Sequence, residues 1–192
     1  MGLGAIINYI KRLYQKAYIR EVMQTFKECG TDIYISSNGK IIGAEYIKIG
    51  DYFYANDFLR LEAIDIWEGN KYCPQINIGS NVAVGVQCHM GAINEISIGN
   101  NVLIGSHVLI TDHSHGKVSC EELDIPPNKR MLYSKGKVII QDNVFIGDGA
   151  VIMSGIIIKR NAVIGANSVV TRDVEENTVV GGNPARLIKT LK

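Results

Sequence analysis

Proline is scarce in this sequence, at 4 of 192 residues, while glycine stands at 20. Glycine without proline argues for many regular tight turns, and against a linker or a collagen-like repeat. Cysteine is sparse too. Cys29, Cys73, Cys88 and Cys120 show no Cys-x-x-Cys spacing, which speaks against a thiol-rich zinc site. Nor do they look like a disulfide framework, so free thiols in a reducing compartment are expected. Net charge is +1, which removes any bulk electrostatic case for nucleic acid. No apolar run approaches the ~20 residues of a membrane span. The opening Met1-Gly2-Leu3-Gly4-Ala5-Ile6-Ile7 meets Lys11 and Arg12 too soon for a secretory signal. A cytoplasmic protein is the expectation. What is plentiful is apolar: 46% hydrophobic against 20% charged residues, the balance of a chain with a sizeable core rather than a disordered one. The length suits one domain with a small appendage.

An internal repeat dominates the middle and the end of the chain. Ile78, Val84 and Met90 are spaced by six, as are Ile98, Ile104 and Ile110, and then Ile140, Ile146, Ile152, Ile158, Ile164 and Val170. Many of these residues precede a glycine. Four positions after each leader stands a second residue of inward type: Val82, Cys88, Val102, Val108, Val144, Ala150, Ile156, Ala162 and Ser168. A period of six suits neither an α-helix nor a simple hairpin array. It suits strands of a few residues joined by turns in which glycine or asparagine takes a positive φ. Three such units close a triangular coil, and stacked coils bury a continuous aliphatic column. The fold class expected is an all-β solenoid, a parallel β-helix of hexapeptide repeats.

Ahead of the repeats, residues 3–28 read as a helix stopped by Gly30, with Lys11, Arg12, Lys16 and Arg20 among apolar positions. This N-terminal α-helix either docks on the coil or a neighbouring subunit, or lies on a membrane surface. Docking is preferred, because the apolar residues spread over more than one face. The division expected is a helical segment over 1–30 and a β-helix domain over 31–192, with a C-terminal tail over 184–192. Within 31–75 the coils look irregular. Residues 111–137 break the repeat altogether and read as an extruded loop, a place where function concentrates.

At the mouth of that loop stand Asp112, His113 and His115. A histidine accepts a hydroxyl proton near neutral pH and returns it to a thiolate, the shuttle that acyl transfer from a thioester needs. A carboxylate or carbonyl on the other ring nitrogen would fix the tautomer. Exposed loop histidines are the plainer alternative. Small residues stud the later repeats, and Lys159, Arg160, Arg172, Arg186 and Lys189 offer cations for phosphates. Solvated corners explain them as well. Cys73 and Cys88 read as packing residues, and His89 stands just before an inward position.

The segment from Val163 to Asp173, followed by Gly182-Asn183-Pro184-Ala185-Arg186, resembles the ending of the hexapeptide-repeat O-acetyltransferases, among them the galactoside/maltose and the capsule or exopolysaccharide acetyltransferases. The loop Ile110-Thr111-Asp112-His113-Ser114-His115-Gly116 resembles their catalytic loop. The likeness covers roughly residues 76–192. It implies a left-handed β-helix, acetyl-CoA as co-substrate with no metal required, and a homotrimer with sites between subunits. By motif matching it places the base at His113, with His115 as the alternative. It places CoA contacts at Gly147, Asp148, Ala166, Thr171, Arg172 and Arg186. The helix does not match the acceptor-binding segment of the galactoside enzymes, so a sugar or glycan intermediate is the acceptor expected. Three other readings compete. These are sugar-nucleotide N-acylation, a γ-type carbonic anhydrase drawing on His89, His107, His113 and His115, and a non-catalytic trimeric scaffold.

Overall fold

The computed structural model describes residues 2–117 and 119–191. Met1, Val118 and Lys192, which fall in the segments 1–30, 111–137 and 184–192, lie outside the described residues. The chain winds past three parallel sheets in turn. One face stacks Glu28–Cys29, Ile47–Ile49, Gln75–Ile78, Glu95–Ile98, Val138–Ile140 and Ile157–Ile158. The second face runs from Tyr34–Ile35 to Thr178–Gly181. The third runs from Lys40–Ile42 through Arg60–Ala63, His89–Ala92, Leu109–Thr111 and Val151–Ile152 to Val169–Val170. Register follows the repeat: Ile78 lies beside Ile98 and then Ile140, and Met90 lies beside Ile110.

Both inward series of the sequence are buried, from Ile78 to Val170 and from Val82 to Ser168. Each fully buried aliphatic side chain contributes roughly 1.5–3 kcal/mol, so the column is the main source of stability. The earlier coils join it through Ile35, Ile47, Phe53, Leu59 and Leu61.

Asparagine, one of the two residues expected at positive φ, lines one corner of the coil. Positive φ falls to asparagines: Asn81, Asn101, Asn143, Asn161 and Asn177 all sit near +57°, and each side-chain amide donates to the next along one corner. Asparagine tolerates this region because its short polar side chain bonds locally. The repeat glycines serve close approach instead. A Cβ on Gly79 would stand 2.6 Å from the Gly99 carbonyl oxygen, which is backbone and cannot swing away. We expect Gly79→Ala to cost about 1–3 kcal/mol, read as a lower denaturant midpoint at unchanged slope.

The helix covers Leu3–Met23, shorter than the sequence suggests. It stops because Phe26 enters the core and Glu28–Cys29 pair with Lys48–Ile49. The tail over 184–192 does not hang free either: Arg186–Thr190 return antiparallel to Thr178–Gly181.

Two insertions leave the coil at the same corner, between the third face and the first. The sequence shows the longer one. The shorter is a hairpin, Ile66–Trp67 with Asn70–Lys71, turned by Glu68 and Gly69 at positive φ. In the longer insertion Ser114–His115 pair antiparallel with Leu132–Tyr133. The hairpin braces the loop: Trp67 Nε1 donates to the Arg130 carbonyl at 3.2 Å, and the Leu132 amide donates to Tyr72 Oη at 2.9 Å. Among the described residues, no helix is long and apolar enough to cross a membrane.

Candidate active site

Thr111 ends a third-face strand, and the chain turns outward through Asp112 into the loop. Asp112 is fully buried. Its carboxylate accepts the Ile93 amide at 2.9 Å and the Asn94 amide at 2.7 Å. These amides belong to the corner where the six-residue step lapses between Met90 and Ile98. The same carboxylate lies 3.0 Å from His113 Nδ1. A carboxylate only accepts, so Nδ1 carries a proton, and in the neutral imidazole Nε2 holds the lone pair. Ser154, from the next coil, donates to the Asp112 carbonyl at 2.6 Å and locks the backbone from behind. The His113 side chain is only 12% exposed, so the imidazole is held rather than free in solvent.

Gly91 makes the space for that ring. In the strand His89–Ala92, Met90 points inward, while His89 and Gly91 lie on the outer side. A Cβ on Gly91 would sit 3.3 Å from both His113 Cε1 and His89 Nε2. The two imidazoles therefore flank one glycine. His89 belongs to a second polar cluster beside the first. Its Nε2 donates to Glu62 at 2.9 Å, and Arg60 donates to the same oxygen at 2.8 Å. Lys40 approaches the other oxygen at 3.3 Å. Burial alone would raise the Glu62 carboxyl, but Arg60, with His89 and Lys40, brings it below the usual range. For His89 burial and then the Arg60 charge outweigh the pull of Glu62, and hold the imidazole below the usual histidine range. We therefore read His89 as neutral at pH 7, donating to an ionised Glu62.

That depression has a consequence for stability. The unfolded chain, with an ordinary histidine near ~6.5, takes up the proton more readily than the folded one. Stability is therefore expected to be level above pH 7 and to fall as pH drops through about 6.5. Thermal unfolding from pH 7.5 to 5.5 should show this, with a shallower slope in His89→Gln. Glu62 stays ionised in that window and does not contribute to the slope.

The other histidines stand apart. His115 is exposed, with its ring edge-on to Trp67 at 5.1 Å, and no carboxylate bonds to it. His107 sits at a corner with φ of 60°. Among the described residues no cluster of three His, Cys, Asp or Glu side chains is placed to hold a metal ion.

The residues matched to CoA contacts fall into two groups. Gly147 and Ala166 share one corner on successive coils, where a Gly147 Cβ would meet the Ala166 amide at 2.7 Å. Asp148, beside them, accepts the Ser106 amide at 2.8 Å. Thr171 and Arg172 begin the following corner, and both are exposed. Arg172 and Arg186 line a groove of about 460 Å³ with Glu175, Glu176 and Leu187. Lys159 is paired with Glu175 at 2.6 Å. Thr171 and Arg172 thus lie on the corner after that of Gly147 and Ala166, while Arg186, paired with Gly181, stays beside the latter.

Glu62, Arg60 and His89 form a constellation that sequence reasoning missed. Only the outward alternation of His89 and Gly91 hinted at it. The hairpin insertion hides the register that brings Arg60 beside His89 and Glu62 beside Gly91.

Known proteins share the repeat and the fold. Residues 137–172 match the family described as bacterial transferase hexapeptide (six repeats). A protein of Escherichia coli (strain K12), provisionally named lipopolysaccharide biosynthesis O-acetyl transferase WbbJ, is 36% identical over 160 residues, 81% of this chain and 74% of that protein. The maltose O-acetyltransferase of Clostridium difficile 630 superposes with a TM-score of 0.59 at 27% identity, over 96% of this chain and 84% of that one. The N-acyltransferase AntD of Bacillus cereus, in complex with dTDP and 3-hydroxybutyryl-CoA, superposes with a TM-score of 0.77 at 21% identity, over 92% of this chain and 88% of that one.

Proposed function

The chain belongs to the bacterial hexapeptide-repeat transferases, and from that premise we propose that it transfers an acetyl group from acetyl-CoA to a hydroxyl of a sugar or glycan intermediate, with His113 as general base. The observation that carries this reading is the buried Asp112 carboxylate on His113 Nδ1. It makes Nε2 the basic nitrogen of the neutral imidazole, which is the arrangement a proton shuttle requires. The identity with an O-acetyl transferase over most of the chain supports acetyl transfer to oxygen.

In this reading, His113 Nε2 removes the acceptor hydroxyl proton and the oxygen attacks the thioester carbon. The carbon–sulfur bond then breaks, and the imidazolium returns the proton to the departing thiolate. The Asp112 carboxylate stabilises the imidazolium between these steps. No covalent intermediate on the protein is needed, since holding both substrates together lowers the entropic barrier. His115 has no carboxylate partner and is the weaker candidate for the base.

We assign the CoA arm to the corner of Gly147 and Ala166, where Ala166 is exposed above a buried Gly147. Asp148 shapes that corner through Ser106. Arg172 and Arg186 supply cations for the phosphates, and Thr171 a hydroxyl beside them. Because one chain keeps Thr171 and Arg172 on a separate corner from Gly147 and Ala166, the complete site is assigned to a homotrimer, with each site drawing on two chains. The coil domain is taken to begin with the strand Glu28–Cys29, and the winding as left-handed, the hand of the family it resembles. A cytoplasmic location accompanies this reading.

The test is thiol release from acetyl-CoA against a panel of sugars, sugar nucleotides and amino sugars, with mass analysis of the product. Acceptor-dependent release with an ester product is the expected result. An amide product would move the assignment to N-acylation. No release with any acceptor, together with no CoA binding by calorimetry, would overturn the reading.

A further inference from the structure

The helix is only partly docked. Gln15 bonds to the backbone of Ile35 and Ser37 at 2.6 and 3.0 Å, and Tyr18 and Val22 pack on or into the core. These residues, with Ile19, mark the face turned to the coil. Residues 2–14 are exposed throughout. A second series, Leu3, Ile6, Ile7, Ile10, Leu13, Tyr14 and Ala17, follows helical spacing on the opposite side. Leu3 is 75% exposed, Ile10 57% and Tyr14 62%. A helix whose first turns touch nothing gains little from propensity alone, since isolated short helices are marginal in water. An uncovered aliphatic stripe of four turns calls for an apolar counterpart.

The charge says what kind of counterpart. Lys11, Arg12, Lys16 and Arg20 lie outside the stripe, and no acidic residue precedes Glu21. None of the four is in an ion pair among the described residues. Tyr9 borders the stripe and Tyr14 lies within it, amphipathic rings that suit a boundary between oil and water. An anionic bilayer accepts both features: acyl chains receive the stripe and headgroups receive the cations.

We propose that Leu3–Met23 is an interfacial helix that seats the protein on an anionic phospholipid surface, with its apolar stripe in the outer acyl region and its lysines and arginines at the headgroups. This goes beyond the reading of the active site and does not depend on it. The helix lies along the surface and does not span it, in keeping with its five charged residues and modest hydropathy.

The experiment is co-sedimentation of the full chain with vesicles of phosphatidylglycerol and phosphatidylcholine in equal parts, and with phosphatidylcholine alone. The expected result is binding to the mixed vesicles, at least about tenfold weaker on phosphatidylcholine or in high salt. The double variant Ile6→Glu, Ile10→Glu should lose binding while keeping its melting temperature and its sedimentation coefficient in the absence of lipid. Wild-type protein that stays in solution with the mixed vesicles overturns the proposal. So does a double variant that changes its oligomeric state, which would make a second copy the occupant of the stripe. Binding equal on both vesicle types would overturn the electrostatic half.

Discussion

Replacing His113 with alanine is expected to lower turnover by roughly 10²–10⁴, the span of a lost general base. The fold should scarcely notice. The ring lies over Gly91 at the surface of the coil, outside the aliphatic column, so its loss opens no cavity in the core. His115→Ala should stay within a few-fold of the parent, because that ring rests against Trp67 and has no carboxylate to fix a tautomer. The pair is decisive as a pair. Steady-state thiol release with the best acceptor separates them, and a dead His115→Ala beside an active His113→Ala would reverse the assignment.

The second large effect is expected at Asp112, and it has a different signature. This carboxylate accepts two backbone amides and the imidazole together. Asp112→Ala would strand the Ile93 and Asn94 amides in a buried place, at about 1–3 kcal/mol for each. It would also release His113 from its tautomer. Both the melting temperature and turnover should fall. Asp112→Asn keeps the shape but not the acceptors. Its carboxamide has one oxygen for three donors, so either an amide or the imidazole loses its partner. Turnover should fall by roughly 10²–10⁴ with a smaller loss of stability. Comparing kcat and melting temperature across His113→Ala, Asp112→Asn and Asp112→Ala tests the division of labour. An Asp112→Asn enzyme with parental kcat would show that the carboxylate only holds the corner at Ile93 and Asn94.

How far the site could be read in advance depends on which contacts are local. Asp112 and His113 are neighbours in the chain, and the broken repeat marks where they leave the coil, so that pair was visible. The part played by the corner of Ile93 and Asn94 was not, because a missed step in a repeat carries no sign of what its amides will bind. Glu62 and Arg60 were invisible for another reason. Their approach to His89 depends on the register between coils, and the Ile66–Lys71 hairpin offsets that register in a stretch where the repeat is weak. The close approach that the repeat glycines serve is likewise not legible in the sequence. Positive φ is a local property, yet asparagine meets it here, while the glycines answer to the backbone of the next coil.

By itself the sequence determined the coil. Each six-residue unit must bury its own leader, and a period that neither helix nor hairpin can satisfy leaves stacked parallel turns as the outlet for those side chains. It also determined where the coil opens, since a loop of charged residues cannot enter an aliphatic column. The tertiary structure decided which groups meet. It set His113 over Gly91 and gave Asp112 its three donors. It turned the helix so that one face holds the coil while the other faces outward. These depend on distances between coils and on the angle of one docked helix, which are summed from many weak contacts and are written in no single stretch of residues.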